Sequence, residues 1–363
     1  MCARLYLLCG SVKKYKKQEL SYKQINLITK KLADEGIYSI FYTRGEPFIR
    51  DDIIRILKNA IDLGINVTVS TNAQLICDQT AINLSRIGVD EIQVSIHGLE
   101  ATHDRIVRKR GSFRKALKSI RSLTENDVKV IVASVGMKRN YRELLSLAKF
   151  LADHYKISAF RVLRLMSNDK SLIEEVIGPE ECKWLINKLH KLRDDTGLEV
   201  DIHVPPGCLH PLYYNPLIRP KLSHQFVSIC TAGKASMAIL SDGTVVPCIE
   251  LKDLICGNIL ESEVEDIWNS NWMTFLRNEV IPENYEGLCG LCPFKYGCYS
   301  ARCLAYRFTG SLLGDDLTCA FIRKSNQEVN LFRKLTNEAL LSLSKEISKH
   351  PIVAAFREFL DGI

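Results

Sequence analysis

The chain has 363 residues, 46% of them apolar, and a formal net charge of +7. That length is enough to bury a core and to form two domains, and basic clusters such as Lys13, Lys14, Lys16 and Lys17 read as solvated faces rather than a nucleic-acid site. No apolar run reaches the ~20 residues of a membrane helix, and the start "LYLLC" is too short for a signal-peptide core. The expectation is a cytoplasmic protein with neither membrane nor nucleic acid as a partner.

In chain order, strand-like and helix-like segments alternate from Ser21 to about Val204. The apolar spacing predicts a helix over 21–36, opened by a capping box between Ser21 and Gln24 and closed on Gly36. Strands over 37–43, 65–70 and 89–96 alternate with helices over 51–64 and 79–88. Helices over 112–123, 141–155 and 179–197 alternate with strands over 128–136, 157–165 and 198–204. Units of this length favour a parallel sheet, open or closed into a barrel. Ligand sites in such sheets lie at the C-terminal ends of the strands. Here those ends read TRGEP (43–47), STN (70–72), SIHG (95–98) and RLMS (164–167), polar and glycine residues suited to a shared pocket. The proline-broken segment 205–220 interrupts the alternation. A hairpin signal follows over 234–248, turning at Asp242 and Gly243. From Asn326 an amphipathic helix is predicted, with Phe332, Leu335, Ala339 and Leu343 on a packing face.

Eight of the thirteen cysteines fall between Cys230 and Cys319. In a reducing compartment this density favours metal or cluster ligation over disulfides. Cys77 and Cys182, each alone in a predicted helix, read as small buried hydrophobes. Cys289-x2-Cys292-x5-Cys298, followed by Cys319, has ligand spacing for either a zinc site or an iron–sulfur cluster. Cys230 and Cys248 bracket the hairpin, and a second metal there has Cys208, His224 or Cys303 as further candidates.

The tail motifs "CTAGKASMAILSDGTVVPC", "GNILESEVEDIWNS", "LCGLCPFKYGC" and "ARCLAYRFTG" stand in one order with "TRGEPFIRDDI", "VSTNAQL" and "QVSIHGLEATHDRIVRKRGSFRKALKSI". With that ordered set, covering nearly the whole chain, the sequence resembles radical S-adenosylmethionine (SAM) enzymes with a C-terminal SPASM-type domain. The resemblance implies an α/β fold: a partial (β/α) TIM-like barrel core at 1–204, a connector at 205–225, a small cysteine-rich α+β SPASM domain at 226–325, and C-terminal helices at 326–363. Family members have a first barrel strand ahead of the cluster loop, and only Met1 precedes Cys2. A barrel lacking its first strand and a truncated start are therefore expected.

The resemblance also assigns roles. Cys2, Tyr6 and Cys9 fall on the three positions of a CxxxCxxC loop that holds a [4Fe–4S] cluster and SAM, with Tyr6 in place of the second cysteine. Gly45 and Glu46 match the GGEP motif that receives the methionyl ammonium; Arg44 replaces its first glycine. Ser70, Asn72 and Ser95 match strand-end residues near the ribose and carboxylate, and Arg108 matches a pocket-lining position. His97 stands where an aspartate is common. Arg161 and Arg164 are placed to meet carboxylates or to form a salt bridge. Cys230, Cys248, Cys289, Cys292, Cys298 and Cys319 match the ligands of one or two auxiliary [4Fe–4S] clusters.

The implied activity is reductive cleavage of SAM to a 5′-deoxyadenosyl radical that modifies a peptide or a small cofactor precursor, with an electron donor such as ferredoxin or flavodoxin. A second reading is a non-catalytic relative that keeps the metal-bearing SPASM domain as a substrate- or partner-binding module. A third is a zinc-stabilised α/β protein of unrelated function. On this alignment Tyr6→Cys is expected to raise iron content and SAM cleavage.

Overall fold

The computed structural model describes residues 4–8, 19–166, 170–203, 230–292, 295, 298, 301–319 and 322. Cys2, Cys9, the connector at 205–225 with Cys208 and His224, and the extension at 326–363 lie outside them.

The alternation seen in the sequence becomes a run of parallel strands. These are β1 (Arg4–Leu8), β2 (Ser39–Thr43), β3 (Asn66–Thr71), β4 (Glu91–Ser95), β5 (Val130–Gly136), β6 (Ala159–Arg164) and β7 (Glu199–Ile202). Each pairs parallel with the next. The helices between them are α1 (Tyr22–Asp34), α2 (Ile53–Asp62), α3 (Asp78–Ile87), α4 (Glu100–Val107), α5 (Ser112–Glu125), α6 (Tyr141–His154) and α7 (Pro179–Thr196). Only α4 has no counterpart among the predicted helices.

Local signals set these elements. The capping box closes as predicted, with the Ser21 N–H donating to Gln24 Oε1 at 2.9 Å and the Gln24 N–H to Ser21 Oγ at 3.3 Å. One sheet face is apolar: Val67 and Val69 of β3, Ile92 and Val94 of β4, and Phe160 and Val162 of β6 are fully buried. Ile28 and Leu32 of α1, Ile56 and Leu57 of α2, Leu84 of α3 and Ile120 of α5 join them in one core. Removing such side chains from water is worth roughly 1.5–3 kcal/mol each. Alternate residues of β3, β4, β6 and β7 turn Ser70, Gln93, Arg161 and Asp201 to the other face, where they bond one another across the sheet. Cys182 is buried in α7 as expected, whereas Cys77 is exposed just before α3.

After the connector come β8 (Ser236–Ile239), β9 (Thr244–Val246) and β10 (Gly257–Asn258), then α8 (Val264–Trp268), α9 (Asn271–Asn278), α10 (Gly287–Leu291) and α11 (Arg302–Thr309). The β8–β9 hairpin turns at Asp242 and Gly243 as predicted; Gly243 has φ +87° and the Thr244 N–H donates to Asp242 Oδ1 at 3.1 Å. β8, β9 and β10 pair antiparallel, and β8 also pairs parallel with β1. The sheet therefore runs β10-β9-β8-β1-β2-β3-β4-β5-β6-β7. A smaller core of Leu251, Leu254, Leu276, Val280, Cys303, Leu304 and Leu312 lies in the C-terminal part.

The α/β class, the parallel barrel-type sheet and the small C-terminal unit are as expected. One feature differs. In place of a barrel without its first strand, Arg4–Leu8 fills that position, with Leu5 opposite both Ile40 of β2 and Met237 of β8. The reason is hydrogen-bond satisfaction: β2 and β8 would otherwise present unpaired edges to each other, and the apolar RLYLL segment pairs with both. No described helix is long and apolar enough to cross a membrane.

Candidate functional site

Three strand ends build the mouth of the sheet. Behind β2, Arg44 and Gly45 both have φ +64°, a left-handed bend that carries the chain to Glu46. The Glu46 side chain is 5% exposed and its carboxylate is closed on the protein's own donors. The Thr71 hydroxyl donates to Oε1 at 2.7 Å, the Asn72 N–H to Oε2 at 2.8 Å, and the Phe48 N–H to Oε1 at 3.2 Å. Burial raises its pKa and these bonds oppose the rise. Glu46 is thus a brace between the ends of β2 and β3, rather than an open carboxylate. Gly45 and Asn72 are exposed at this rim, as is Arg44 beside them. Ser70 is half-buried and accepts from Gln93 Nε2 at 3.4 Å; Ser95 is half-buried at the end of β4.

His97 follows directly. Its N–H donates to His103 Nδ1 at 3.1 Å, its carbonyl accepts from Asn140 Nδ2 at 2.8 Å, and its ring Nδ1 accepts from the Val135 N–H at 3.2 Å. Burial, with His103 beside it, pushes its pKa down to about 4. The ring is therefore neutral near pH 7 and carries its proton on Nε2. Arg108 stands apart from this arrangement, exposed at the end of α4 with φ +55°.

Below the rim a polar chain crosses the sheet. Arg161 donates to Gln93 Oε1 at 2.7 Å and to Asp201 Oδ2 at 2.8 Å, and His203 Nε2 lies 3.2 Å from the same Asp201 oxygen. Arg161 thus forms the salt bridge that was one of its two sequence readings. Gln93, Asp201 and His203 had no motif to mark them; only the alternation along β4 and β7 could have placed them on the inner face.

The cysteines gather in the C-terminal part. The Cys248 thiol is pushed up to about 12, first by burial, then by neighbouring Cys230, against the opposing pull of Arg44 and Arg307. Cys303 is pushed up to about 12 by burial and by Cys248 and Cys230. Of the candidates for a second metal, Cys303 is the one among the described residues, and it lies near this pair. Cys289 receives the guanidinium of Arg302 at 3.7 Å, and its N–H donates to Asp315 Oδ1 at 2.8 Å. Arg302 is 2% exposed and lies over the Tyr285 ring, 4.4 Å from its centroid. Tyr285 in turn lies among Cys298, Cys230 and Cys289. Among the described residues no group of three or more histidine, cysteine or acidic side chains is preformed around a single ion. The donor chemistry nonetheless suits a cluster: thiols this hard to ionise alone are deprotonated when a metal binds them.

The sequence-aligned cluster loop has a different fate. Tyr6 is in the middle of β1, opposite Phe41 on one side and Ala238 on the other. The Tyr6 backbone is therefore paired on both flanks, whereas Cys2 and Cys9 lie outside the described residues.

A parallel α/β sheet with a polar mouth at its strand ends, followed by a cysteine-rich unit, defines a barrel-type α/β protein with a thiol-rich C-terminal part. The model of the radical SAM superfamily matches residues 2–151, and that of an iron–sulfur cluster-binding domain, SPASM, matches 230–293. The chain belongs to the radical SAM superfamily and carries a C-terminal SPASM domain; these families bind [4Fe–4S] clusters and SAM. It is 25% identical over 318 residues to the AdoMet-dependent heme synthase of Methanosarcina barkeri, covering 84% of this chain and 88% of that one. It is 26% identical over 343 residues to the PqqA peptide cyclase of Bradyrhizobium diazoefficiens, covering 89% and 83%. The crystal structure of Streptococcus suis SuiB bound to precursor peptide SuiA shares the fold, with a TM-score of 0.70, 18% identity and coverage of 87% and 76%.

Proposed function

We propose that this chain is an iron–sulfur protein of the radical SAM/SPASM class that binds a peptide or cofactor-precursor substrate at its strand ends, without building a SAM cluster from Cys2, Tyr6 and Cys9. The observation that carries this reading is the position of Tyr6 within a doubly paired strand. The relatives whose names specify a peptide or haem product support the substrate class. Cys289, Cys292, Cys298 and Cys319 would hold one auxiliary cluster, and Cys230, Cys248 and Cys303 would contribute to another. Such clusters supply one-electron chemistry when bound. Gly45, Asn72 and Ser95 would meet the ligand, with Glu46 holding their strand ends in register and His97 offering an N–H donor.

A second reading, radical cleavage of SAM, is favoured by the intact left-handed bend at Gly45, which leaves backbone groups open at the rim. An electron donor of the ferredoxin or flavodoxin kind belongs to that reading. Anaerobic reconstitution with iron and sulfide separates the two. The first expects iron that is lost in Cys289→Ala and Cys248→Ala, no 5′-deoxyadenosine on reduction with SAM, and no change in Tyr6→Cys. Formation of 5′-deoxyadenosine by the unmodified chain would select the second.

A further inference from the structure

Arg44 does not contribute to the polar mouth. It occupies a left-handed position where glycine is the ordinary residue, and its side chain leads away to the C-terminal part. There it pairs with the Glu250 carboxylate, which also receives Arg307 of α11. Arg307 donates as well to the Glu250 carbonyl at 3.0 Å. The Glu250 side chain is 10% exposed, and its backbone N–H donates to Cys248 Sγ at 3.5 Å. One residue thus gathers two guanidinium groups, one from the end of β2 and one from α11, beside a thiol. Two guanidinium groups face one carboxylate beside Cys248, with Asp253 as a further acidic neighbour of Arg307. The same two arginines also act on Lys252, whose pKa is lowered by burial and by their repulsion.

We propose that Arg44 tunes the reduction potential of an iron–sulfur cluster at Cys230, Cys248 and Cys303, with Glu250 as the group that holds it there. This inference rests on the cluster-binding reading of those cysteines. One-electron reduction, the electron coming from dithionite, adds one negative charge to the cluster. A cation fixed nearby stabilises the reduced form more than the oxidised one, so the potential rises, by an amount that solvent screening of the 45%-exposed Arg44 side chain reduces. The substitution of arginine for the motif glycine then has a use at the auxiliary site. It also joins the strand end that carries Gly45 to the loop that carries Cys248.

The test is a dithionite titration of the full-length, anaerobically reconstituted protein, followed by the paramagnetic signal of the reduced cluster that is absent in Cys248→Ala. Arg44→Gln is expected to move the midpoint to lower potential, and Arg44→Lys to leave it near the unmodified value. Glu250→Gln releases Arg44 while keeping the backbone N–H bonded to sulfur, so in that background Arg44→Gln is expected to move the midpoint little further. Where Arg44→Gln does not load iron, Arg44→Met is read in its place. A midpoint unmoved by loss of Arg44, or the same full downward shift in the Glu250→Gln background, would overturn the proposal. A complete lack of Cys248-dependent iron in the unmodified chain is a different result, and would overturn the cluster reading beneath it.

Discussion

The Thr71 hydroxyl and the Glu46 carboxylate meet at 2.7 Å across the ends of β3 and β2. The same hydroxyl oxygen accepts from the Ala73 N–H at 2.9 Å. Two strand-end turns are thereby fixed by one side-chain pair, and the exposed rim groups Gly45 and Asn72 inherit their positions from it.

Thr71→Val removes this bond while keeping the side-chain shape. It leaves a buried carboxylate short of a donor and the Ala73 N–H without its acceptor. Such losses are worth about 1–3 kcal/mol, to be read as a fall in unfolding free energy in urea. Thr71→Ser is expected to recover most of it.

His97 sets a pH dependence. Its folded pKa of about 4 lies below the ordinary 6.5, so the unfolded chain binds a proton there first as pH falls. The stability contribution is complete above pH 6.5 and is lost as pH drops from about 6.5 towards 4, by about 3 kcal/mol at most. His97→Asn keeps an acceptor for the Val135 N–H and does not titrate. Urea midpoints between pH 7 and 4.5 should fall less steeply in this variant; equal slopes would remove His97 from the account.

Arg161 and Asp201 form a pair whose partners are half-buried. A double-mutant cycle of Arg161→Met and Asp201→Asn should give a coupling of roughly 0.5–3 kcal/mol in unfolding free energy. Additive losses would show that the two side chains act independently.

Tyr6→Pro discriminates strand from loop. In a strand flanked by β2 and β8, proline removes backbone donation and disrupts pairing. Loss of the cooperative thermal transition, or a large drop in its midpoint, is expected. A variant as stable as the unmodified chain would place Tyr6 outside the sheet.

Much of the fold is legible in the sequence because it rests on local periodicity. The Ser21 capping box, the Asp242–Gly243 turn and the alternation of Val67 and Val69 with Thr68 and Ser70 are short-range features, and each is found where the pattern puts it. The site is only partly legible. Glu46 and Asn72 are marked by motif, yet the sequence could not tell an open carboxylate from one closed by Thr71. Gln93, Asp201 and His203 have no motif, since their meaning comes from neighbours on other strands.

By itself the sequence determined the order of strands and helices, the crowding of cysteines after Cys230 and the motif set that resembles the radical SAM/SPASM class, because covalent spacing and residue chemistry are enough for each. Tertiary structure decided three further things. Tyr6 belongs to a strand because β2 and β8 both supply edges for it. Cys303 is brought near Cys230 and Cys248. Arg44 finds its counter-charge at Glu250. All three depend on pairing between segments far apart in the chain, which no local pattern encodes.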